Sequence, residues 1–144
     1  MSKIGENIAS AIRGGIGLVS VFVYGTLLTG ENNHFVAKPY VQHVQPGAVH
    51  GRLYDVGDYP ALQLAEEGIV EGEWLEVTEE GLQAMDELEW YFGPGHPDNE
   101  YERSWVRDMS GAREGWVYHW PERPKDLPRI DETSWKTYRK RKST

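Results

Sequence analysis

The chain has 144 residues, a formal net charge of −8 and no cysteine, so it suits one domain with one sizeable core and excludes disulfides and thiolate metal sites. The excess of acid disfavours binding to nucleic acid, which depends on clustered Lys and Arg. No apolar run approaches the ~20 residues that span a bilayer, so we expect a cytoplasmic protein without a membrane partner.

The first 17 residues are predicted to be an N-terminal extension. Ile4, Ile8 and Ile12 recur every four residues, a spacing that suits a short amphipathic helix ended by Gly14 and Gly15. A loose extension explains the same residues, because isolated helices of this length are marginally stable. The segment has no continuous apolar stretch, so we expect no secretory signal.

Strand signals repeat from Leu18 onward, as short runs of β-branched and aromatic residues between Gly, Pro, Asn and Asp clusters. The predicted strands are 18–24, 48–56, 60–64, 69–77, 101–107 and 113–120. Short strands at this spacing indicate a small barrel or a strongly curled sheet. The aromatic residues of 115–120 are expected in the core.

The first strand ends in the turn Tyr24-Gly25-Thr26-Leu27. Successive backbone N–H groups in such a turn can form a concave site for an anion. A turn that only connects two elements explains the same residues.

One helix is predicted over 78–92, with Thr78 as its N-cap and Gly93-Pro94 as its end. Its apolar face consists of Leu82, Met85, Leu88 and Phe92. The fold class is therefore α+β, a small mixed β-barrel with flanking helices.

The predicted helix carries three acids at different angles from its apolar face. At about 100° per residue, Glu89 lies about 45° from the centre of that face, Asp86 about 105° and Glu87 about 155°. Glu89 thus points toward the core, where desolvation raises the pKa of a carboxyl and suits it to acid/base chemistry near neutral pH. The alternative is a boundary Glu that reaches water or pairs with a cation such as Arg103.

Other kinds of site find no support in the sequence. The chain has no nucleophile elbow and no phosphate-binding loop, and its five His residues lack the spacing of a zinc site. We therefore predict no metal and no cofactor, and read Asn33 and His34 as loop-capping or turn residues. Residues 121–144 are Pro-rich and then basic, and 139–144 are predicted to be a solvated tail.

Motifs along most of the chain resemble the γ-glutamylcyclotransferase-like superfamily, in particular its AIG2-like and γ-glutamylamine cyclotransferase members. In order they are VFVYGTL (21–27), G-x-x-N-H (30–34), GRLYDVGDYPAL (51–62), VEGEWLEV (70–77), MDELEWY (85–91), NEYER (99–103) and WVY (116–118). The resemblance implies one domain over 18–138 and a mixed β-barrel that encloses a cavity.

The resemblance also implies a site and a reaction. A γ-glutamyl amide would be cyclised to 5-oxoproline with release of an amine, and Glu89, which closes the family's L-D-x-[LF]-E pattern, would be the general acid/base. Gly25, Thr26 and Leu27 would hold the substrate through backbone groups, with Tyr24 and Tyr101 lining the cavity.

Trp90 stands where relatives often carry glycine, so the resemblance does not specify the leaving group. The alternative function is a barrel that binds a small ligand or a partner without turnover. The sequence does not indicate an oligomeric state.

Overall fold

The computed structural model describes residues 17–143, so the predicted N-terminal segment lies outside the described residues except for Gly17. The described strands are β1 (Leu18–Val23), β2 (Val41–Asp55), β3 (Pro60–Thr78), β4 (Glu102–Arg107), β5 (Glu114–His119) and β6 (Arg129–Ile130). The helices of this part are α1 (His34–Ala37), α2 (Glu79–Leu88) and α3 (Trp135–Lys142), and a 3-10 turn spans Lys38–Tyr40.

The six strands form one mixed sheet in the order β4-β5-β1-β3-β2-β6. β1 lies near the middle, antiparallel to β3 and parallel to β5. The predicted α+β class with a mixed sheet is confirmed. The sheet has two edges, β4 and β6, so the expected barrel is not closed.

The structure joins two predicted strands into one. The segments 60–64 and 69–77 both belong to β3, which pairs with β2 along its length. The ladder shifts register between His50 and Gly51, and Gly68 lies opposite this shift with φ +89. A Cβ on Gly68 would lie 2.4 Å from the carbonyl oxygen of Gly51. The polar, Gly-containing stretch before Ile69 is therefore an interruption within a ladder and does not separate two strands.

β1 is apolar throughout its second half because both faces of the sheet are covered. Val21 and Val23 pack in one buried cluster together with Met85 of α2. Phe22 and Tyr24 point to the other face and pack in a second cluster. Successive side chains of a strand alternate between faces, so a strand buried on both sides shows no polar alternation.

α2 begins as predicted and ends earlier. The Thr78 hydroxyl accepts a hydrogen bond from the Gly81 N–H, which caps the first turn. The helix ends at Leu88, and the N–H groups of Trp90 and Tyr91 donate back to the carbonyls of Glu87 and Asp86. This is a Schellman motif with Trp90 at its left-handed position, φ +53.

The early end of α2 corrects one predicted contact. Phe92 was expected on the apolar face of the helix, but it lies beyond the Schellman motif and is 55% exposed. Met85 is fully buried, and Leu82 and Leu88 pack against the same cluster as expected.

Residues 139–142, predicted as part of a solvated basic tail, belong to α3. Trp135 and Tyr138 of this helix are buried in the second cluster. Burial of side chains of this size contributes about 1.5–3 kcal/mol each.

Several cations of α3 pair with acids of the domain. Arg139 pairs with Glu31 at 2.8 Å, and Arg141 pairs with Glu132. The Asp55 carboxylate accepts hydrogen bonds from the Tyr138 hydroxyl at 2.6 Å and from Lys142 at 3.1 Å. These contacts fix the helix to the sheet and to the loop before α1.

The left-handed backbone at Trp90 predicts an order of stabilities. Trp90→Ala and Trp90→Gly both remove the indole, so the difference between the two variants isolates the backbone cost. We expect Trp90→Gly to be the more stable by about 1 kcal/mol, because glycine adopts positive φ without steric strain. Urea unfolding of both variants measures this difference, and equal stabilities would contradict the assigned backbone conformation.

Candidate active site

The structure contains a cavity of about 270 Å³ where several chain ends meet. The carboxyl ends of the parallel strands β1 and β5 reach it, as do the end of α2 and the turn between β2 and β3. Its lining includes Tyr24, Gly25, Thr26, Leu27, Asn32, Asn33, Asp58, Tyr59, Pro60, Leu88, Glu89, Trp90, Glu100, Tyr101 and Tyr118. All residues predicted from the sequence to belong to a site thus line one cavity.

The turn after β1 has its acceptors occupied. The Gly25 carbonyl accepts from the Leu28 N–H, and the Thr26 carbonyl accepts from the Asn33 N–H at 2.8 Å. The Leu27 carbonyl accepts from Nδ1 of His34, also at 2.8 Å, so that nitrogen carries the proton. The Thr26 hydroxyl accepts from the Asn33 side-chain amide at 2.9 Å.

The donors of the same turn remain available. Within residues 17–143, the N–H groups of Gly25, Thr26 and Leu27 donate to no other protein atom. Polar N–H groups without a protein acceptor are suited to bind an anion. Asn33 and His34, read from the sequence as loop-capping or turn residues, hold this turn in place through their hydrogen bonds to Thr26 and Leu27.

Gly25 is required by the close approach of the β2–β3 turn. A Cβ at this position would lie 2.8 Å from both Cγ and Cδ of Pro60. The Pro60 carbonyl in turn accepts a hydrogen bond from the Tyr101 hydroxyl at 2.8 Å. Glycine therefore lets one wall of the cavity pack directly against the turn.

Glu89 is the helix C-cap and lines the cavity. Its carboxylate is largely buried and has no hydrogen bond or ion pair with another residue in the described range. Burial, and secondarily the negative charge of Glu100, raise the pKa of Glu89 from its ordinary value near 4.5 to about 7. The carboxyl can therefore both accept and return a proton near neutral pH.

One of the two alternatives for Glu89, a pair with Arg103, is wrong. Arg103 donates from one guanidinium nitrogen to both carboxylate oxygens of Asp86, each at 2.8 Å. The Tyr118 hydroxyl donates to the same carboxylate at 2.5 Å. Asp86 thus takes up the nearby cation and ties the last turn of α2 to β4 and β5, which leaves Glu89 without a counter-charge.

Tyr24 and Tyr101 are buried and present their rings to the cavity. The Tyr24 hydroxyl donates to the Tyr118 carbonyl at 2.6 Å, and the Tyr101 hydroxyl is held by Pro60. Both hydroxyl protons are therefore committed to the protein, although the oxygens can still accept. Burial raises the pKa of both phenols far above 10.

The cavity also contains residues that the sequence did not single out. Asp58, Tyr59 and Glu100 come from connections between strands, and the Tyr59 hydroxyl donates to Glu100 at 2.5 Å. Tyr118 was expected in the core only. No spacing within the sequence links these residues, because separate turns bring them together.

Comparison with known proteins identifies the family. The family model "gamma-glutamyl cyclotransferase, AIG2-like" matches residues 21–137. The chain belongs to this family. The resemblance inferred from the motifs is thereby confirmed.

Two relatives have named activities. A gamma-L-glutamyl-butirosin B gamma-glutamyl cyclotransferase of Niallia circulans is 40% identical over 131 residues, which cover 89% of this chain and 82% of the relative. A putative gamma-glutamylcyclotransferase of Vibrio cholerae is 35% identical over 120 residues, 80% of this chain and 93% of that protein.

Solved structures share the fold at lower identity. An AIG2-like protein from Mus musculus has a TM-score of 0.64 at 24% identity, covering 82% of this chain and 88% of that one. An uncharacterised protein from Pyrococcus horikoshii has a TM-score of 0.66 at 20% identity, covering 87% and 96%. Both support the assignment of the sheet and its helices to this fold.

Residues 17–143 contain neither a membrane-spanning helix nor a cluster of metal ligands. None of the helices there has the length and apolar character needed to cross a bilayer. In the same range, no group of three or more His, Asp or Glu side chains is arranged to hold a metal ion.

The raised pKa of Glu89 predicts an unusual dependence of stability on pH. Between about pH 4.5 and 7 the folded protein keeps a proton that the unfolded chain releases, so the free energy of unfolding falls as pH rises. The full loss is about 3 kcal/mol and is reached above the folded pKa. Glu89→Gln cannot ionise, so its stability relative to the native protein should increase by up to this amount from pH 5 to pH 8.

Urea unfolding at the two pH values measures the effect, and Glu87→Gln is the matched control because Glu87 is an exposed acid on the same helix. The control should show no such gain between the two pH values. A Glu89→Gln variant that gains nothing at pH 8 would contradict the buried, unpaired state of the carboxyl.

Proposed function

We propose that this protein cyclises a γ-glutamyl amide to 5-oxoproline and releases the amine. The observation that carries the proposal is the cavity that Glu89 shares with the turn of Gly25, Thr26 and Leu27. A carboxyl without a protein partner and N–H donors without acceptors are the two groups that such a reaction needs. The substrate is a small molecule, consistent with the cavity volume.

The turn is proposed to hold the glutamyl end of the substrate. Its three N–H groups would donate hydrogen bonds to the α-carboxylate, since an anion binds where successive amides converge. Among the described residues no Lys, Arg or His lines the cavity, so this carboxylate would bind uncharged N–H donors such as those of the turn. Tyr24 and Tyr101 would form walls that keep the glutamyl chain folded.

Glu89 is proposed to move one proton during ring closure. The substrate's α-amine attacks its own γ-carbonyl carbon, so a new C–N bond forms as a five-membered ring closes. Glu89, ionised, takes a proton from the attacking nitrogen and delivers it to the departing nitrogen as the original amide C–N bond breaks. Glu89 ends the cycle ionised, and the intramolecular attack supplies a high effective concentration of nucleophile.

The relatives support the same chemistry. The protein of Niallia circulans is named as a γ-glutamyl cyclotransferase for γ-L-glutamyl-butirosin B. The residues that would perform the reaction here lie inside the matched family range of 21–137.

The proposal predicts that Glu89→Gln abolishes turnover and leaves the fold intact. We expect release of 5-oxoproline from γ-glutamyl amides to fall by about 10²–10⁴-fold, the contribution of a general acid/base. Since Glu89 must be ionised to accept the proton, kcat/KM of the native protein should rise with pH through about pH 7, and it should rise further where the substrate's α-amine loses its proton. Quantifying 5-oxoproline across pH 5.5–8.5 measures both effects.

Glu87→Gln should keep both the rate and the pH profile. Full activity of Glu89→Gln would exclude the proposed role for this residue. Saturable binding of γ-glutamyl amides by the native protein without any 5-oxoproline would favour the non-catalytic alternative.

A second prediction tests the turn. Gly25→Ala places a Cβ against the Pro60 ring, so the turn must shift and its N–H groups lose their alignment. We expect KM to rise by about tenfold, equivalent to ~1.4 kcal/mol of binding. The double variant Gly25→Ala/Pro60→Ala lacks the clashing ring atoms and should recover part of the loss, a coupling that steady-state kinetics on all four proteins measures. Additive effects of the two changes would contradict the proposed contact.

A further inference from the structure

The mouth of the cavity carries negative charge, whereas the carboxylate of an amino-acid leaving group would require a positive one. Asp58 and Glu100 line the cavity and are exposed, whereas Glu89 lies deeper and is largely buried. No cationic side chain lines the cavity among the described residues. The rim is therefore negative on two connections of the chain, β2–β3 and α2–β4.

An exposed indole completes this rim. Trp90 lines the cavity and is 59% exposed. Its backbone N–H serves the Schellman motif at a φ of +53, a conformation that disfavours a bulky side chain. Its carbonyl accepts from the Glu100 N–H at 3.2 Å, so the backbones of these two lining residues are neighbours. The indole packs edge-to-face against Phe92 with ring centroids 6.2 Å apart. A bulky residue held at a strained backbone position and exposed at a cavity mouth points to contact with a ligand.

We propose that Asp58, Glu100 and Trp90 form a cation-binding rim that selects γ-glutamyl amides whose leaving amine carries a second, cationic amino group. The inference rests on the proposed function, because it assigns the part of the same substrate that departs. With the glutamyl end at the turn and the reacting nitrogen at Glu89, the departing group extends to the rim. Carboxylates attract an ammonium group there, and the face of an indole binds cations.

The same rim opposes an anionic leaving group. A γ-glutamyl α-amino acid would bring a free carboxylate toward Asp58 and Glu100, and like charges at short range repel. A neutral alkyl amine would meet neither attraction nor repulsion, apart from apolar contact with Trp90. The rim therefore ranks substrates by the charge at the far end of the leaving amine.

Three matched substrates test this ranking. The γ-glutamyl amides of 1,4-diaminobutane, n-butylamine and 4-aminobutyrate differ at one terminus, which is cationic, neutral or anionic. We expect kcat/KM for release of 5-oxoproline to fall by about tenfold at each step in low salt, with the differences shrinking at high salt as the charges are screened.

Substitutions at the rim assign the ranking to these residues. The double variant Asp58→Asn/Glu100→Gln should reduce the ratio of kcat/KM between the cationic and anionic amides by about tenfold or more. The ratio is used because Glu100 also influences the pKa of Glu89, an effect that all substrates share. Trp90→Phe should keep more of the cationic preference than Trp90→Leu, and Glu87→Gln should keep all of it.

The outcomes separate the two proposals. Equal kcat/KM for the three amides, or a ranking unchanged in the double variant, would overturn the cation-binding rim and leave the cyclotransferase proposal standing. Absence of 5-oxoproline from all three would overturn the proposed function and the rim together. The expected ranking, lost in the double variant, supports both.

Discussion

The site depends on one electrostatic constraint, a carboxyl that is largely removed from water and has no compensating cation. Transfer of a charged group out of water is unfavourable, so the fold retains Glu89 at a cost in stability when it is ionised. Arg103, the cation considered as a partner for Glu89, is instead bound by Asp86. Asp86 of α2 is therefore held in an ion pair, whereas Glu89, three residues later, lies in the cavity without one. Only Glu89 is left to exchange a proton with a substrate.

The sheet brings the remaining groups to this carboxyl. β1 and β5 are parallel, so their carboxyl ends lie at the same end of the sheet. Tyr118, the β5 residue after those that pair with β1, lines the cavity there. The Asp86 carboxylate binds the Tyr118 hydroxyl, and the Tyr118 carbonyl binds Tyr24. A continuous chain of hydrogen bonds therefore runs from the helix through β5 to the strand that precedes the N–H groups. Such a chain fixes the positions of acid and turn relative to each other without a closing loop.

Local periodicity was sufficient to predict the direction of Glu89. The angle of about 100° per residue persists through the C-cap, so the wheel held one residue past the helix end. It failed for Phe92, because Trp90 adopts a left-handed backbone conformation after the helix ends. The sequence does not indicate this conformation, since tryptophan is unusual at a left-handed position. Prediction from the family pattern identified the same acid and the same turn.

Features formed by distant contacts were not predictable in this way. The part of α3 from residue 139 onward is predicted as a tail, because four consecutive cations follow Tyr138 and the paired acids Glu31, Asp55 and Glu132 lie elsewhere in the sequence. No local pattern predicts that Asp58 and Glu100 line the cavity, since two separate connections of the chain bring them together. Sequence reasoning thus recovered the groups fixed by one element and missed those assembled from several.

The docking of α3 has a consequence for how the protein is made. One face of the central strand is covered by Trp135 and Tyr138, and Arg139 contacts Glu31 across 108 positions of the chain. A ribosome delivers these partners long after β1 has emerged, so the second cluster, in which Phe22 packs against Trp74, stays incomplete until α3 arrives. Chaperones that hold exposed apolar segments would therefore act on the first strand until the helix arrives.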